Sequence, residues 1–146
     1  MIQRLIDRLN SSPVNFLAVQ TLERELQAAG YEPLDAAAPL GPMPAGRRFY
    51  LKKNDSSLYA FRIGSSPLAE AGFRVVCAHC DSPTFRIKPN AEIRCEDGLV
   101  KLNTEVYGGP IMSTWFDRPL SLAGRVILRG EDPMHPVSRL LAIFDN

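Results

Sequence analysis

A short and almost continuous apolar run near the middle of the chain constrains the fold most strongly. The run, Phe73-Arg74-Val75-Val76-Cys77-Ala78, follows Gly72 and predicts a β-strand that is buried on both faces. Strands of this kind belong to open α/β sheets, where ligand sites gather at the carboxyl ends of the strands. The run leads directly into His79. The sequence therefore predicts an α/β fold in which His79 lies at the carboxyl end of a strand, where ligand sites are found.

His79 and Asp81 lie two positions apart immediately after this run. In extended backbone, side chains with that spacing point to the same side. The imidazole can then bind a metal ion, while the carboxylate orients it through a hydrogen bond. The same residues also suit a surface turn capped by Asp81 and Ser82, which is a common use of such a sequence. Spacing alone leaves both interpretations open.

Cysteines flank the histidine, and they offer a different metal hypothesis. Cys77 and Cys80 have the Cys-x-x-Cys spacing of a zinc knuckle or a redox pair. In a strand, however, their side chains would face opposite sides, and a structural zinc ion would need further ligands from Cys95, His135 or carboxylates. Buried thiols without a metal are the simpler interpretation. A small zinc-binding protein that uses all three cysteines stays as a separate hypothesis.

The remaining pattern predicts helices first and strands afterwards. Apolar spacing predicts one helix over 1–9 and a second that begins with Ser12 as N-cap and Pro13 at the first position and ends at Gly30. The proline-rich stretch 32–46 is predicted to be a surface connection. Strands are predicted over 48–52, 57–63, 91–94, 99–106 and 122–128, with turns at 53–56 and at Glu96-Asp97-Gly98.

Composition limits the class of protein. A chain of 146 residues with 45% apolar content is expected to bury a core, and the formal charge of +1 favours neither nucleic acid nor a membrane surface as a partner. No apolar stretch approaches the roughly 20 residues that span a bilayer. An odd count of three cysteines fits a reducing compartment, so the cytoplasm is expected.

Several segments resemble the aspartyl aminopeptidase family of dinuclear zinc peptidases. Residues 73–89 resemble that family's strand, its His-Thr-Asp-Ser-Pro motif and its Lys-Pro terminus, with Cys80 in place of the threonine. A second signature is matched almost position for position by Glu105-Val106-Tyr107-Gly108-Gly109-Pro110 and by the segment 113–126, which contains Trp115-Phe116-Asp117-Arg118-Pro119. The resemblance runs in order from residue 1 to about residue 130.

The resemblance implies a fold and a set of site residues. It implies that residues 1–90 are the amino-terminal part of a catalytic α/β sandwich domain, and that residues 91–146 begin an inserted β-rich oligomerisation domain that is incomplete here. By the same transfer, His79 is a zinc ligand and Asp81 is the catalytic-site carboxylate that orients it. The implied partners are a peptide substrate and further copies of the chain in a homo-oligomer.

The implied reaction is removal of an amino-terminal residue, preferably acidic, from a peptide, with two zinc ions and a glutamate general base. The family's other ligands and its glutamate have no counterpart in this chain, so the chain is expected to be a fragment that is inactive alone. The alternative is a truncated homologue that acts as an interaction module. The chain also departs from the family after Leu141-Ala142-Ile143, where Phe144 replaces a histidine.

Overall fold

Residues 1–132 and 134–143, which the computed structural model describes, form a mixed α/β protein in which two helices precede the strands and a short third helix lies between the third and fourth strands. In chain order the elements are α1 (Ile2–Asn10), α2 (Asn15–Ala28), β1 (Glu32–Pro33), β2 (Arg48–Lys53), β3 (Ser57–Arg62), α3 (Leu68–Ala71), β4 (Thr84–Arg94), β5 (Val100–Tyr107), β6 (Leu122–Leu128) and β7 (Val137–Ile143). Single 3-10 turns lie at Glu96–Gly98 and Met112–Thr114. Among these residues, no helix has the length and apolar character that crossing a membrane requires.

The two predicted amino-terminal helices are both present, but the start of α2 differs from the prediction. Ser12 is not its cap: the Ser12 N–H donates to the Leu9 carbonyl at 3.1 Å, so Ser12 belongs to the turn that ends α1. Val14 stands at the N-cap instead, in extended conformation and without a side-chain cap. The predicted end at Gly30 is confirmed, because Gly30 has a φ of 77° and follows directly on the last turn of α2.

The first sheet has the order β1-β2-β3, and its β2–β3 hairpin confirms the prediction. Asn54 and Asp55 both have a φ of 53°, the left-handed conformation that a tight hairpin turn requires. The fully buried residues of this hairpin lie on β2, whereas the residues of β3 are half-buried or exposed. The buried side chains among the described residues are Ala18, Val19, Phe49 and Tyr50. The core therefore lies where α2 packs on the β2–β3 hairpin.

This core is smaller than the apolar content predicts. The chain exposes 12177 Å² of surface, whereas a folded monomer of its mass is expected to expose about 7,500 Å². The excess includes many large apolar side chains that no described residue covers. Apolar content alone predicted their burial, but burial also requires a second layer for each apolar face to pack against.

The described chain divides into two units, one of residues Met1–Asp81 with Leu122–Ile143 and one whose described part is Ser82–Ser121. In the first unit, β6 and β7 form a regular antiparallel hairpin, and β6 lies at the position predicted for it. Arg125 on β6 joins this hairpin to the rest of the unit. Its guanidinium donates to the Asn54 carbonyl at 3.2 Å and lies 4.2 Å from the centre of the Phe16 ring.

The second unit is built on an antiparallel ribbon of β4 and β5, as predicted, although β4 begins earlier than the predicted strand. The turn follows the predicted Glu96-Asp97-Gly98 sequence: Asp97 and Gly98 have φ values of 65° and 77°, and the Cys95 N–H donates to the Leu99 carbonyl at 2.9 Å. The register shifts between Ile87 and Glu92. Asn103 supports this irregular stretch by donating to the Asn90 carbonyl at 3.0 Å.

The prediction of a buried strand over 73–78 is wrong for the described structure. Residues 73–79 have no regular secondary structure and all are exposed, with Val76 at 96% exposure. A strand is stabilised by hydrogen bonds to a neighbouring strand. Among the described residues, the three sheets leave this segment without such a neighbour. Its apolar composition is therefore suited to a strand, but its partner strands are not in the described chain.

Candidate metal site

His79 and Asp81 lie at the carboxyl end of this exposed segment, and the structure brings their side chains together as their spacing predicts. Nδ1 of the His79 imidazole lies 3.1 Å from Oδ1 of Asp81. With the proton on Nδ1, the ring donates to the carboxylate, and the lone pair of Nε2 is left for another partner. That is the arrangement in which a carboxylate sets the tautomer of a metal-binding histidine.

The two side chains differ in their exposure to solvent. The His79 side chain is 92% exposed, whereas the Asp81 side chain is 35% exposed. The partly covered carboxylate is thus the anchored member of the pair, and the imidazole projects outward from it. An exposed nitrogen of this kind is accessible to a metal ion, and a neutral imidazole is a good ligand for zinc.

A complete metal site needs more donors than this pair. Catalytic zinc normally has about three protein ligands. Within residues 1–132 and 134–143, no group of three or more histidine, cysteine, aspartate or glutamate side chains is placed to hold an ion. Among the described residues, His79 and Asp81 can therefore provide at most one ligand and its orienting partner.

The cysteines do not form the alternative zinc site in the described structure. All three are free thiols, with Cys77 exposed and Cys80 and Cys95 half-buried. Neither they nor His135 take part in a group of three possible ligands among the described residues. The expectation that the thiols are buried is also wrong for Cys77, because the segment that carries it is exposed.

His135 is exposed and contacts a carboxylate that the sequence analysis does not predict. Its Nδ1 lies 2.5 Å from Oδ2 of Asp132, three residues earlier. The other carboxylate oxygen accepts the Met134 N–H at 2.9 Å. This N–H and, to a smaller extent, His135 lower the pKa of Asp132. An aspartate that accepts a hydrogen bond from the backbone N–H two residues later commonly forms a turn. Such a turn brings the side chain of the third residue close to the carboxylate, so the Asp-x-x-His spacing is the sequence feature that indicates this contact.

Trp115, which belongs to the second block of family resemblance, packs in the second unit. Its ring stands edge-on to Phe85, with 5.1 Å between the ring centres and an angle of 87°. On the neighbouring residue, the Arg86 guanidinium lies 3.8 Å from the centre of the Tyr107 ring. Segments 84–86 and 107–115, which belong to the two blocks of family resemblance, are thus held against each other by aromatic contacts.

Comparison with known sequences identifies the family. The family model described as aminopeptidase I zinc metalloprotease (M18) matches residues 8–143. A probable M18 family aminopeptidase 2 of Clostridium novyi is 46% identical over 139 residues, which are 95% of this chain and 32% of that protein. The chain therefore spans about a third of the length of this curated relative.

Solved structures give the same result for the fold. The structure titled as the complex of Ape4 and Nbr1 is 34% identical and has a TM-score of 0.89, covering 97% of this chain and 27% of the other. The dodecamer of mApe1 from S. cerevisiae is 25% identical with a TM-score of 0.84, covering 96% of this chain and 32% of the other. Since the family model covers nearly the whole chain, the chain belongs to the aminopeptidase I zinc metalloprotease family, M18.

Proposed function

We propose that this chain is the amino-terminal part of a zinc-dependent aminopeptidase and contributes His79 as a zinc ligand and Asp81 as the residue that positions it. The observation that carries the proposal is the 3.1 Å contact between these side chains in a chain of the M18 family. The contact fixes the ring by one nitrogen and leaves the other directed to solvent.

The donor chemistry of this pair fits zinc. Zinc in such a site acts as a Lewis acid in peptide hydrolysis. In this chain, Asp81 holds the His79 ring in one orientation. By accepting a hydrogen bond from Nδ1–H, it also increases the basicity of Nε2. The complete enzyme is proposed to bind two zinc ions, and the other ligands and the general base are supplied outside the described residues.

The domain arrangement and the partners belong to the same proposal. Residues 1–90 are assigned to a peptidase sandwich domain and residues 91–146 to the start of an inserted β-rich oligomerisation domain; Phe144, where the family has a histidine, lies outside the described residues. The substrate is a peptide, and a preference for an acidic amino-terminal residue is proposed on the family resemblance alone. The dodecameric mApe1 structure supports a homo-oligomer, and three free thiols support a cytoplasmic location.

The incomplete ligand set leads to a direct test. The 146-residue chain is assayed with an amino-terminal aspartyl peptide and zinc, alone and after addition of the remaining two-thirds of an M18 relative. We expect no turnover from the chain alone and metal-dependent turnover from the mixture. Activity of the mixture should be lost in His79→Ala and kept in His135→Ala, which removes the other histidine. Sustained turnover by the chain alone would contradict the proposed inactivity.

A second function, a non-catalytic interaction module, is favoured by different observations. Large apolar side chains of the second unit, among them Val100 and Leu102, are exposed. A module of this kind would bind a partner equally well in the wild type and in His79→Ala. The two functions are therefore separated by the effect of His79→Ala on metal uptake and on partner binding.

A further inference from the structure

Two cysteines stand on either side of the proposed zinc ligand. Cys77 and Cys80 enclose Ala78 and His79 at the Cys-x-x-Cys spacing, and Cys80 occupies the position of a threonine in the family motif that the chain resembles. Both are free thiols, with Cys77 exposed and Cys80 half-buried. The proposed metal site uses neither of them, so it does not account for the pair.

The backbone that joins the two thiols is not held in place by regular structure. Residues 73–79 have no regular secondary structure, and Cys80 lies in a bend. Within the part of the chain that the structure describes, no backbone–backbone hydrogen bond involves residues 73–80. A change in the conformation of residues 77–80 therefore breaks no such bond of the described structure.

A bond between the two sulfurs requires a turn. A disulfide joins residues whose Cα atoms are about 4.4 to 6.8 Å apart, whereas residues three positions apart in extended backbone are separated by about 10 Å. The first and last Cα atoms of a β-turn lie within about 7 Å of each other. A turn over residues 77–80, with Ala78 and His79 at its centre, therefore brings Cys77 and Cys80 into range.

We propose that Cys77 and Cys80 form a reversible disulfide that separates His79 from Asp81, so that the segment is a redox switch on the metal ligand. The 3.1 Å contact of the reduced chain uses the common side on which residues two apart in extended backbone place their side chains. At the third position of a turn, His79 leaves the extended conformation, and its ring loses the carboxylate. The consequence for zinc rests on the proposed function, whereas the disulfide and the loss of the contact do not.

The oxidant is a small-molecule disulfide such as oxidised glutathione. The sulfur of Cys77, the more exposed of the two, attacks the oxidant as a thiolate and releases one glutathione thiolate. The Cys80 thiolate then attacks the Cys77 sulfur and releases the second. Two electrons pass from the cysteines to the oxidant, and the two protons that the cysteines lose end on the released thiols. In the proposed cytoplasmic location, disulfides of this transient kind act in redox sensing.

The first test detects the bond. The 146-residue chain is treated with oxidised glutathione and digested with trypsin, and the peptide 75–86, which contains both cysteines, should lose two hydrogen atoms. The matched control Cys95→Ser should form the same bond, and Cys77→Ser should carry only glutathione at Cys80. Glutathione adducts without the internal bond, or a bond to Cys95, in the wild-type chain would overturn the proposal.

The second test follows the His79 ring by long-range proton–nitrogen NMR. Oxidation should move its proton from Nδ1 towards Nε2, as Asp81→Ala should do in the reduced chain, and a reductant should reverse the change. Cys77→Ser should keep the spectrum of the reduced chain after the same treatment. A disulfide that leaves the His79 spectrum unchanged would exclude the switch.

Zinc titration separates this inference from the proposed function. The reduced double variant Cys77→Ser/Cys80→Ser should bind zinc, and adding His79→Ala should abolish the binding. Zinc binding that is insensitive to His79→Ala would overturn the assignment of His79 as a ligand, while the mass and NMR measurements would still decide whether the disulfide forms and moves the ring.

Discussion

The Asp81 carboxylate contacts Nδ1 of the His79 imidazole at 3.1 Å, in a segment whose flanking residues have no regular secondary structure. The two side chains lie two positions apart in non-helical backbone, so their contact requires no regular secondary structure in the segment itself.

Removal of the Asp81 carboxylate should change the tautomer of His79. In Asp81→Ala, Nδ1 loses its acceptor, so the proton should be redistributed towards Nε2 and the zinc affinity of the ring should fall about tenfold or more. Long-range proton–nitrogen NMR spectra report the tautomer, and zinc titration of the same sample reports the affinity. His135 is the internal control, because its own partner Asp132 is unchanged. An unaltered His79 spectrum would show that the contact does not position the ring.

Two valines distinguish the exposed segment from the core. Val19 is 1% exposed and Val76 is 96% exposed. Val19→Ala should reduce the free energy of unfolding by about 2 kcal/mol, because it leaves a cavity in the core. Val76→Ala should change it by less than about 0.5 kcal/mol. Urea denaturation followed by circular dichroism measures both. Equal losses would mean that the segment 73–79 is packed after all.

Elements that depend on neighbours in sequence are the ones the sequence predicted correctly. The turns at Asn54-Asp55 and Asp97-Gly98 depend on residues that tolerate a positive φ, and both are present. The apolar run 73–78 needs partner strands that are distant in sequence, and composition contains no information on whether they are available. The core is smaller than predicted for the same reason: apolar content does not specify which apolar surfaces pack against each other.

In the candidate site, too, the sequence predicted one contact between residues close in sequence and failed to predict another. The contact between His79 and Asp81 follows from a spacing of two residues, and the structure contains it. The Asp132–His135 contact was not predicted, although the spacing of three residues in a turn allows it. The predicted Ser12 cap was wrong because α2 begins later than predicted: Val14 stands at its N-cap, and Ser12 lies in the turn that follows α1.

Gly98 is required by the turn of the β4–β5 ribbon. Its φ of 77° lies in the left-handed region, so Gly98→Ala should destabilise the turn by about 1 kcal/mol. Gly41→Ala is the matched control, because the φ of Gly41 lies outside that region and an added Cβ there meets nothing within 4 Å. Hydrogen exchange of the Cys95 amide, which donates to the Leu99 carbonyl, measures the opening of the turn. Similar exchange in both variants would contradict this assignment.

Lys52 should make the free energy of unfolding of the first unit depend on pH in the alkaline range. Its ammonium group donates to Glu23 at 2.8 Å and contacts Asp55 at 3.1 Å, and the hydrogen bond to Glu23 is the main cause that raises the pKa of Lys52 above its ordinary value of 10.5. Because the folded-state pKa is raised, the stabilisation is fully present below the unfolded-state pKa and is lost as the pH rises through the folded-state value.

Lys52→Gln should therefore reduce the free energy of unfolding by about 0.5 to 1 kcal/mol at neutral pH, the range of a partly exposed ion pair. The difference from the wild type should stay constant up to about pH 9.5 and shrink above the ordinary lysine pKa, as the wild-type ammonium group loses its proton. Urea denaturation at a series of pH values measures it. Lys53→Gln, the exposed neighbour, should show neither the loss nor the pH dependence, so a parallel response in the two variants would exclude Glu23 as the cause.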